Sequence, residues 1–205
     1  MTEPSQKPFR TNYVLIDFEN VRPDSLEQLD HEYFKLLVFV GASQGCVPYG
    51  MVTSLHRFGD RVEYIKISGN GSNALDFHIA YYIGKLAAAD PTAYFHIISK
   101  DGGYDPLVQH LKSKKIFANR AQTISDIHLV KISNCKTPAQ RIELILEKLR
   151  RLKSSKPREV QKLDRMIAGI FLRQISDKEV SGLINNMVNK GHLTVSGTKI
   201  TYAFE

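Results

Sequence analysis

Four aspartates, Asp17, Asp76, Asp101 and Asp105, are delivered by three segments separated by long spacers. Carboxylates that converge on one point hold a hard divalent cation through oxygen. Magnesium or manganese held this way, with water positions left open, lowers the pKa of a bound water, sets it in line with a leaving oxygen and neutralises charge developing on a phosphate. Aspartate is short and stiff, which suits ligation from rigid strand ends, and four such acids crowded together repel one another without a cation. Each also has a plainer use. Asp17-Phe18-Glu19-Asn20 can be a polar turn leaving a strand, Asn73 can cap a helix that has Asp76 in its first turn, and Asp101 can turn the chain beside Gly102-Gly103. Asp105 before Pro106 reads as an N-cap, and capping through one oxygen leaves the other free for a cation.

The elements that must position these acids alternate in kind. Short β-rich runs at 13–16, 35–40, 62–67, 94–98 and 115–118 are separated by amphipathic segments predicted as helices over 25–33, 47–58, 74–88 and 106–112. Punctuation supports the helices: Asp24 opens a D-x-x-E pattern with Glu27, and Asp90-Pro91 stops the third helix. This alternation predicts an α/β fold with a central parallel five-stranded sheet. Right-handed crossovers then put the residues that follow each strand on one rim, where such sheets bind ligands. All four acids fall on that rim.

The texture changes at Thr137. Predicted helices at 139–152, 158–171 and 177–190 are followed by two short alternating strands, 193–195 and 199–202, around Ser196-Gly197-Thr198. Three helices and a two-stranded wing predict a small, mainly helical, winged-helix-like module. The expected domains are therefore residues 12–134 and 138–205. Composition is that of an ordinary globular protein, 42% hydrophobic and 24% charged. The 28 Lys and Arg exceed the 21 Asp and Glu, a net charge of +7 that favours a polyanionic partner, and most of the excess lies beyond Thr137. Candidate phosphate contacts are Lys112, Lys114 and Lys115 in the first region, and Arg150, Arg151 and Lys153 in the second. The start MTEPSQKPFR is polar, no run approaches the length of a membrane span, and Cys46 and Cys135 lack metal-ligand spacing. The expectation is a cytoplasmic protein with reduced thiols and no membrane partner.

Three stretches, VLIDFENV at 14–21, NALDFHIAYYIG at 73–84 and ISKDGGYDPLVQHL at 98–111, resemble the acidic motifs of PIN-like nucleases of the NYN branch. The resemblance covers about residues 12–134 and keeps the order of the motifs. It implies a Rossmann-like fold that cuts RNA, and sometimes DNA, with Mg2+ or Mn2+, leaving a 5′-phosphate and a 3′-hydroxyl. On it, Asp17, Asp76, Asp101 and Asp105 hold the cation. Asn20 and Ser99 orient ligands or phosphate by hydrogen bonds, and Lys100 lies within the same motif. Homodimers are also common in this family, although no dimer surface is legible here.

Other features carry less. His78 and His110 have no second ligand at metal spacing, and the loop Gly69-Asn70-Gly71-Ser72-Asn73 lacks the G-x-x-x-x-G-K-[ST] pattern of a nucleotide cradle. Tyr81 and Tyr82 read as a core face rather than a base-stacking platform. A phosphatase on a similar sheet is disfavoured, because Asp17-Phe18-Glu19 is not followed by the threonine or valine usual in haloacid-dehalogenase-like enzymes. The competing reading from another class is a nucleic-acid-binding or assembly protein that keeps the fold without turnover.

Overall fold

In the computed structural model, which describes residues 10–204, the chain divides into two compact units at Val130 and Lys131. In the first, β1 (Asn12–Asp17), β2 (Phe34–Val40), β3 (Val62–Lys66), β4 (Tyr94–Ile98) and β5 (Phe117–Ala121) form one parallel sheet in the order β3-β2-β1-β4-β5. The central strands are nearly continuous apolar runs because both of their faces are covered. Val14 and Ile16 of β1 point into a layer with Leu55 of α1 (Tyr49–His56). The intervening Leu15 points into the opposite layer, with Leu75 and Ile79 of α2 (Ala74–Ala89) and Val108 of α3 (Tyr104–Ser113). Ile16 pairs with Val38 on one side and Ile98 on the other. The direction of winding reverses between β1 and β4, so a crevice opens beyond their carboxyl ends.

Two sequence expectations are corrected here. The segment 25–33 is not an α-helix but a single 3-10 turn, Leu26–Leu29, entered through Ser25 at φ 57° without a side-chain cap. Its only buried residues, Leu26 and Leu29, are spaced by three, which suits the threefold repeat of a 3-10 turn and offers nothing to hold a second turn. The fifth strand starts at Phe117 rather than at 115. Lys115, at φ 61°, closes α3: its N–H donates to the Lys112 carbonyl at 3.0 Å and that of Ile116 to Leu111 at 2.9 Å, the paired bonds of a Schellman ending.

The division between the units falls within α4 (His128–Asn134). The second unit holds α5 (Pro138–Leu152), α6 (Val160–Ile170), α7 (Asp177–Asn189) and the antiparallel hairpin of β6 (Leu193–Ser196) and β7 (Lys199–Tyr202). Its core is aliphatic, from Ile145, Leu149, Leu163, Ile167, Leu183 and Met187 among others. Thr137 and Ser176 each start a helix with a full capping box, through Gln140 and Glu179. The chain just before α6 joins the hairpin, the Ile200 N–H donating to the Arg158 carbonyl and the Val160 N–H to Thr198, both at 3.0 Å. Among the described residues, no helix is long and apolar enough to cross a membrane.

Candidate active site

Asp17 is the last residue of β1, and its side chain is fully buried. A carboxylate there survives only if its oxygens are satisfied. Its Oδ1 accepts from the backbone N–H groups of Glu19 and Asn20, each at 3.2 Å. Its Oδ2 accepts from the Asn20 side-chain amide at 2.7 Å, from the Ser99 hydroxyl at 2.8 Å and, at a longer 3.4 Å, from the Tyr104 hydroxyl. Asn20 and Ser99 thus meet on the first acid. The polar turn is real as well, since the N–H of Val21 closes back on the Asp17 carbonyl at 3.0 Å.

Ser99 and Asp101 follow β4, the neighbour of β1 across the reversal of winding. The buried Ser99 hydroxyl accepts from the Asp101 N–H at 3.0 Å, and the Asp101 carboxylate accepts from the Gly103 N–H at 2.7 Å, which shapes the turn into α3. Tyr104 opens α3 with its ring 1% exposed and its hydroxyl directed at two carboxylates, Asp17 and Asp76. A phenol has one proton to give, so it serves one of them at a time. Burial, with bonding to both acids, pushes the Tyr104 pKa far up and keeps the hydroxyl protonated.

Asp76 stands in the first turn of α2. Partial burial holds its carboxyl above the ordinary range; the Tyr104 hydrogen bond pulls it down, while the charges of Asp17 and Asp101 push it up again. Three acids from three segments therefore feel one another at one point. Asn73 before them is at φ 64° and makes no side-chain cap, so it does not serve as the expected helix cap.

Asp105 is placed differently. It lies inside the first turn of α3, where Gly103 rather than Asp105 holds the cap position. Both of its oxygens are taken by Arg120 of β5, which donates from Nε at 2.8 Å and from Nη2 at 3.0 Å, and this guanidinium holds the Asp105 carboxyl below the ordinary carboxylate range. A further nitrogen of Arg120 donates to the Ser99 carbonyl at 3.2 Å. Bonding to Asp105 raises the Arg120 pKa and the Asp101 charge adds to it, which puts this guanidinium at the border of the acidic group. Lys100 is exposed between Ser99 and Asp101.

Among the described residues, no three His, Cys, Asp or Glu side chains form a ready metal cage. The donor chemistry still suits a hard cation, because magnesium takes one or two carboxylates and completes its shell with water and substrate phosphate oxygens. Asp17 spends its oxygens on four donors and a share of the Tyr104 hydroxyl, so Asp76 and Asp101 are the acids with oxygens to offer.

The basic candidates of the first unit lie away from the acids. Lys112, Lys114 and Lys115 are exposed at the end of α3, on the rim opposite the acids. In the second unit, Arg150 pairs with Glu143 at 3.0 Å and Arg151 with Glu147 at 2.6 Å, while Lys153 follows α5 at φ 46°. His78 bonds the Ala74 carbonyl of its own helix at 2.7 Å. Sequence reasoning missed Tyr104 and Arg120. Tyr104 had a signal: with Val108 and Leu111 it forms an apolar face at helical spacing, and its place in the first turn brings the polar tip to the rim. Arg120 had none, because a cation in a strand says nothing about which acid it meets.

A family model for the PIN domain matches residues 11–121, which span all five strands of the first unit and Asp17, Asp76, Asp101 and Asp105. The chain belongs to the PIN domain family. PIN domains are typically nucleases and generally use divalent metal ions. No curated protein and no solved structure matches the chain. The PIN domain match ends at Ala121, before the second unit begins.

Proposed function

We propose that the chain is a metal-dependent endoribonuclease of the NYN branch, with Asp17, Asp76 and Asp101 as the acidic centre. Its second unit, a basic winged-helix-like module, holds nucleic acid or a partner. The observation that carries the reading is the convergence of these three acids, with Ser99, Asn20 and Tyr104, at the point where the sheet reverses its winding. Asp76 and Asp101 would hold Mg2+ or Mn2+, and an ion bound there supplies a water of lowered pKa and charge neutralisation at phosphorus. Asp17 is the buried anchor: through Tyr104 and Ser99 it fixes where the other two acids stand. Arg120 keeps Asp105 occupied, which leaves Asp76 and Asp101 to face the ion.

A second reading is favoured by one observation, the full satisfaction of Asp17 by groups of its own chain. Such a site is stable without a cation, as a binding protein that has kept the fold but not turnover would need. A time course of the full-length protein with end-labelled single-stranded RNA and matching DNA, in manganese, magnesium or chelator, separates the two. Metal-dependent cutting that disappears in Asp101→Asn is the expected result. Intact strands under every condition would replace the nuclease by the binding module.

A further inference from the structure

The acids are not the only unusual feature of α2. Phe77 is 72% exposed and Tyr81 is 63% exposed. Tyr81 therefore does not belong to the core face expected for it, whereas Tyr82 does, its ring meeting Phe39 edge-on at 5.3 Å. Residues four apart on a helix share one face, about 6 Å apart. Asn73, Phe77, Tyr81 and Lys85 make one such stripe, all exposed.

We infer that Phe77 and Tyr81 form a stacking platform for bases of a single-stranded nucleic acid whose scissile phosphate lies at the acidic centre. The inference rests on the nuclease reading above for the position of that phosphate. The stripe is continuous with the site, since Asp76 and Phe77 are consecutive in the first turn of α2. Tyr81 is also held in place: its ring stands edge-on against Tyr82 at 5.5 Å, and Tyr82 is braced on the buried Phe39. An exposed ring held in one orientation loses little entropy on binding. Around Gly84, one turn beyond Ala80, a side-chain position meets nothing within 4 Å, so a flat group has room beside the rings.

Charge fixes the occupant. Lys85 closes the stripe one turn past Tyr81; its ammonium lies 5.6 Å from the Tyr82 ring centroid and pairs with no acid among the described residues. Two aromatic faces followed by an ammonium with no acid beside it match bases followed by a backbone phosphate. An apolar protein partner would want aliphatic neighbours on the stripe, and the residues beside the rings are instead Asn73, Ala80, Gly84 and Lys85. Bases stacked inside a duplex present no face to such rings, so the platform selects single strands.

The test uses the full-length protein with a fluorescent 12-nucleotide oligoadenylate, single-stranded or annealed to its complement, and reads anisotropy in chelator so that no cutting intervenes. Phe77→Ala and Tyr81→Ala should each weaken single-strand binding about fivefold or more, and change duplex binding less than twofold. Tyr81→Phe, which keeps the ring, should bind like the wild type. Tyr49→Ala removes an 84% exposed ring from α1, in the opposite layer, and should leave binding unchanged. Unchanged single-strand affinity in both alanine variants overturns the platform. So does an unchanged affinity together with a lower sedimentation mass, which would make the stripe a self-association face. Cleavage is read separately in manganese, against Asp101→Asn. Weaker binding in the alanine variants with no cutting by the wild type sustains the platform and sinks the nuclease, and the reverse pattern does the opposite.

Discussion

Asp17 and Asp76 carry the same side chain into opposite surroundings, and the consequence is measurable before any substrate is added. The Asp17 oxygens accept four hydrogen bonds and share the Tyr104 hydroxyl with Asp76, so Asp17→Asn replaces an acceptor by a donor facing donors and should cost about 1–3 kcal/mol of stability. Asp76 is pushed up by burial and by the charges of Asp17 and Asp101, so Asp76→Asn relieves repulsion and should raise the thermal midpoint in chelator. Thermal scans of the two variants at neutral pH check the difference in sign, and cutting should be lost in both. Tyr104→Phe removes the one interaction that lowers the Asp76 pKa, so carboxyl titration by NMR should find that pKa higher still. The acids were legible in the sequence because a motif fixes both their type and their order. Two of the plainer uses coexist with the site, the Asp17 turn and the Asp101 turn through Gly103, whereas neither Asn73 nor Asp105 caps its helix. Tyr104 was hidden because its ring does belong to the core, and only the hydroxyl reaches the acids.

At the scale of elements, β4 carries a histidine where a parallel strand is usually apolar. His96 is buried, its Nε2 2.9 Å from the Asn12 oxygen on β1 and its Nδ1 2.9 Å from the Asn119 oxygen on β5. Burial pushes its pKa down to about 4; the Asn119 hydrogen bond opposes this, and the nearby His128 adds to it. The unfolded chain then binds a proton near pH 6.5 that the folded chain refuses until about pH 4. Stability is complete above pH 6.5 and falls as the pH drops through that window, by about 3 kcal/mol for this group. Midpoints measured across pH 4 to 7 should fall, and His96→Gln should flatten the fall; a variant that tracks the wild type would remove His96 as its origin. In the second unit, Ser176→Ala breaks the α7 capping box and should cost about 1 kcal/mol in chemical denaturation. The first, second and fourth strands were legible as apolar runs, and the starts of α5 and α7 were legible to within one residue from the helical pattern. The short pieces were not: whether Leu26–Leu29 forms one turn or three depends on partners that lie far away in sequence, such as the Ile124–Asp126 turn packed in the same layer.

For the whole molecule, charge is the property that no single element carries. Residues 1–130 hold 13 basic and 14 acidic residues, and residues 131–205 hold 15 and 7, so the excess belongs wholly to the second unit. Part of it is already neutralised internally, as Arg150 and Arg151 lie against Glu143 and Glu147. Lys148, Arg158 and Lys199 are exposed and pair with no acid among the described residues. Arg158 and Lys199 are also neighbours in the structure, because the chain at Arg158 and Glu159 lies alongside β7. Cations with no internal partner are those that displace counterions when a phosphate backbone arrives. In the full-length Asp101→Asn background, log affinity for single-stranded RNA should fall linearly with log salt concentration. Replacing Lys148, Arg158 and Lys199 together by glutamine should reduce that slope by about 0.7 for each phosphate no longer neutralised, roughly 2 in all. Arg150→Gln should change it less, since Glu143 already neutralises that cation. An unchanged slope in the triple variant would assign the basic unit to a protein partner and leave the PIN domain to hold its strand alone, through the aromatic stripe on α2.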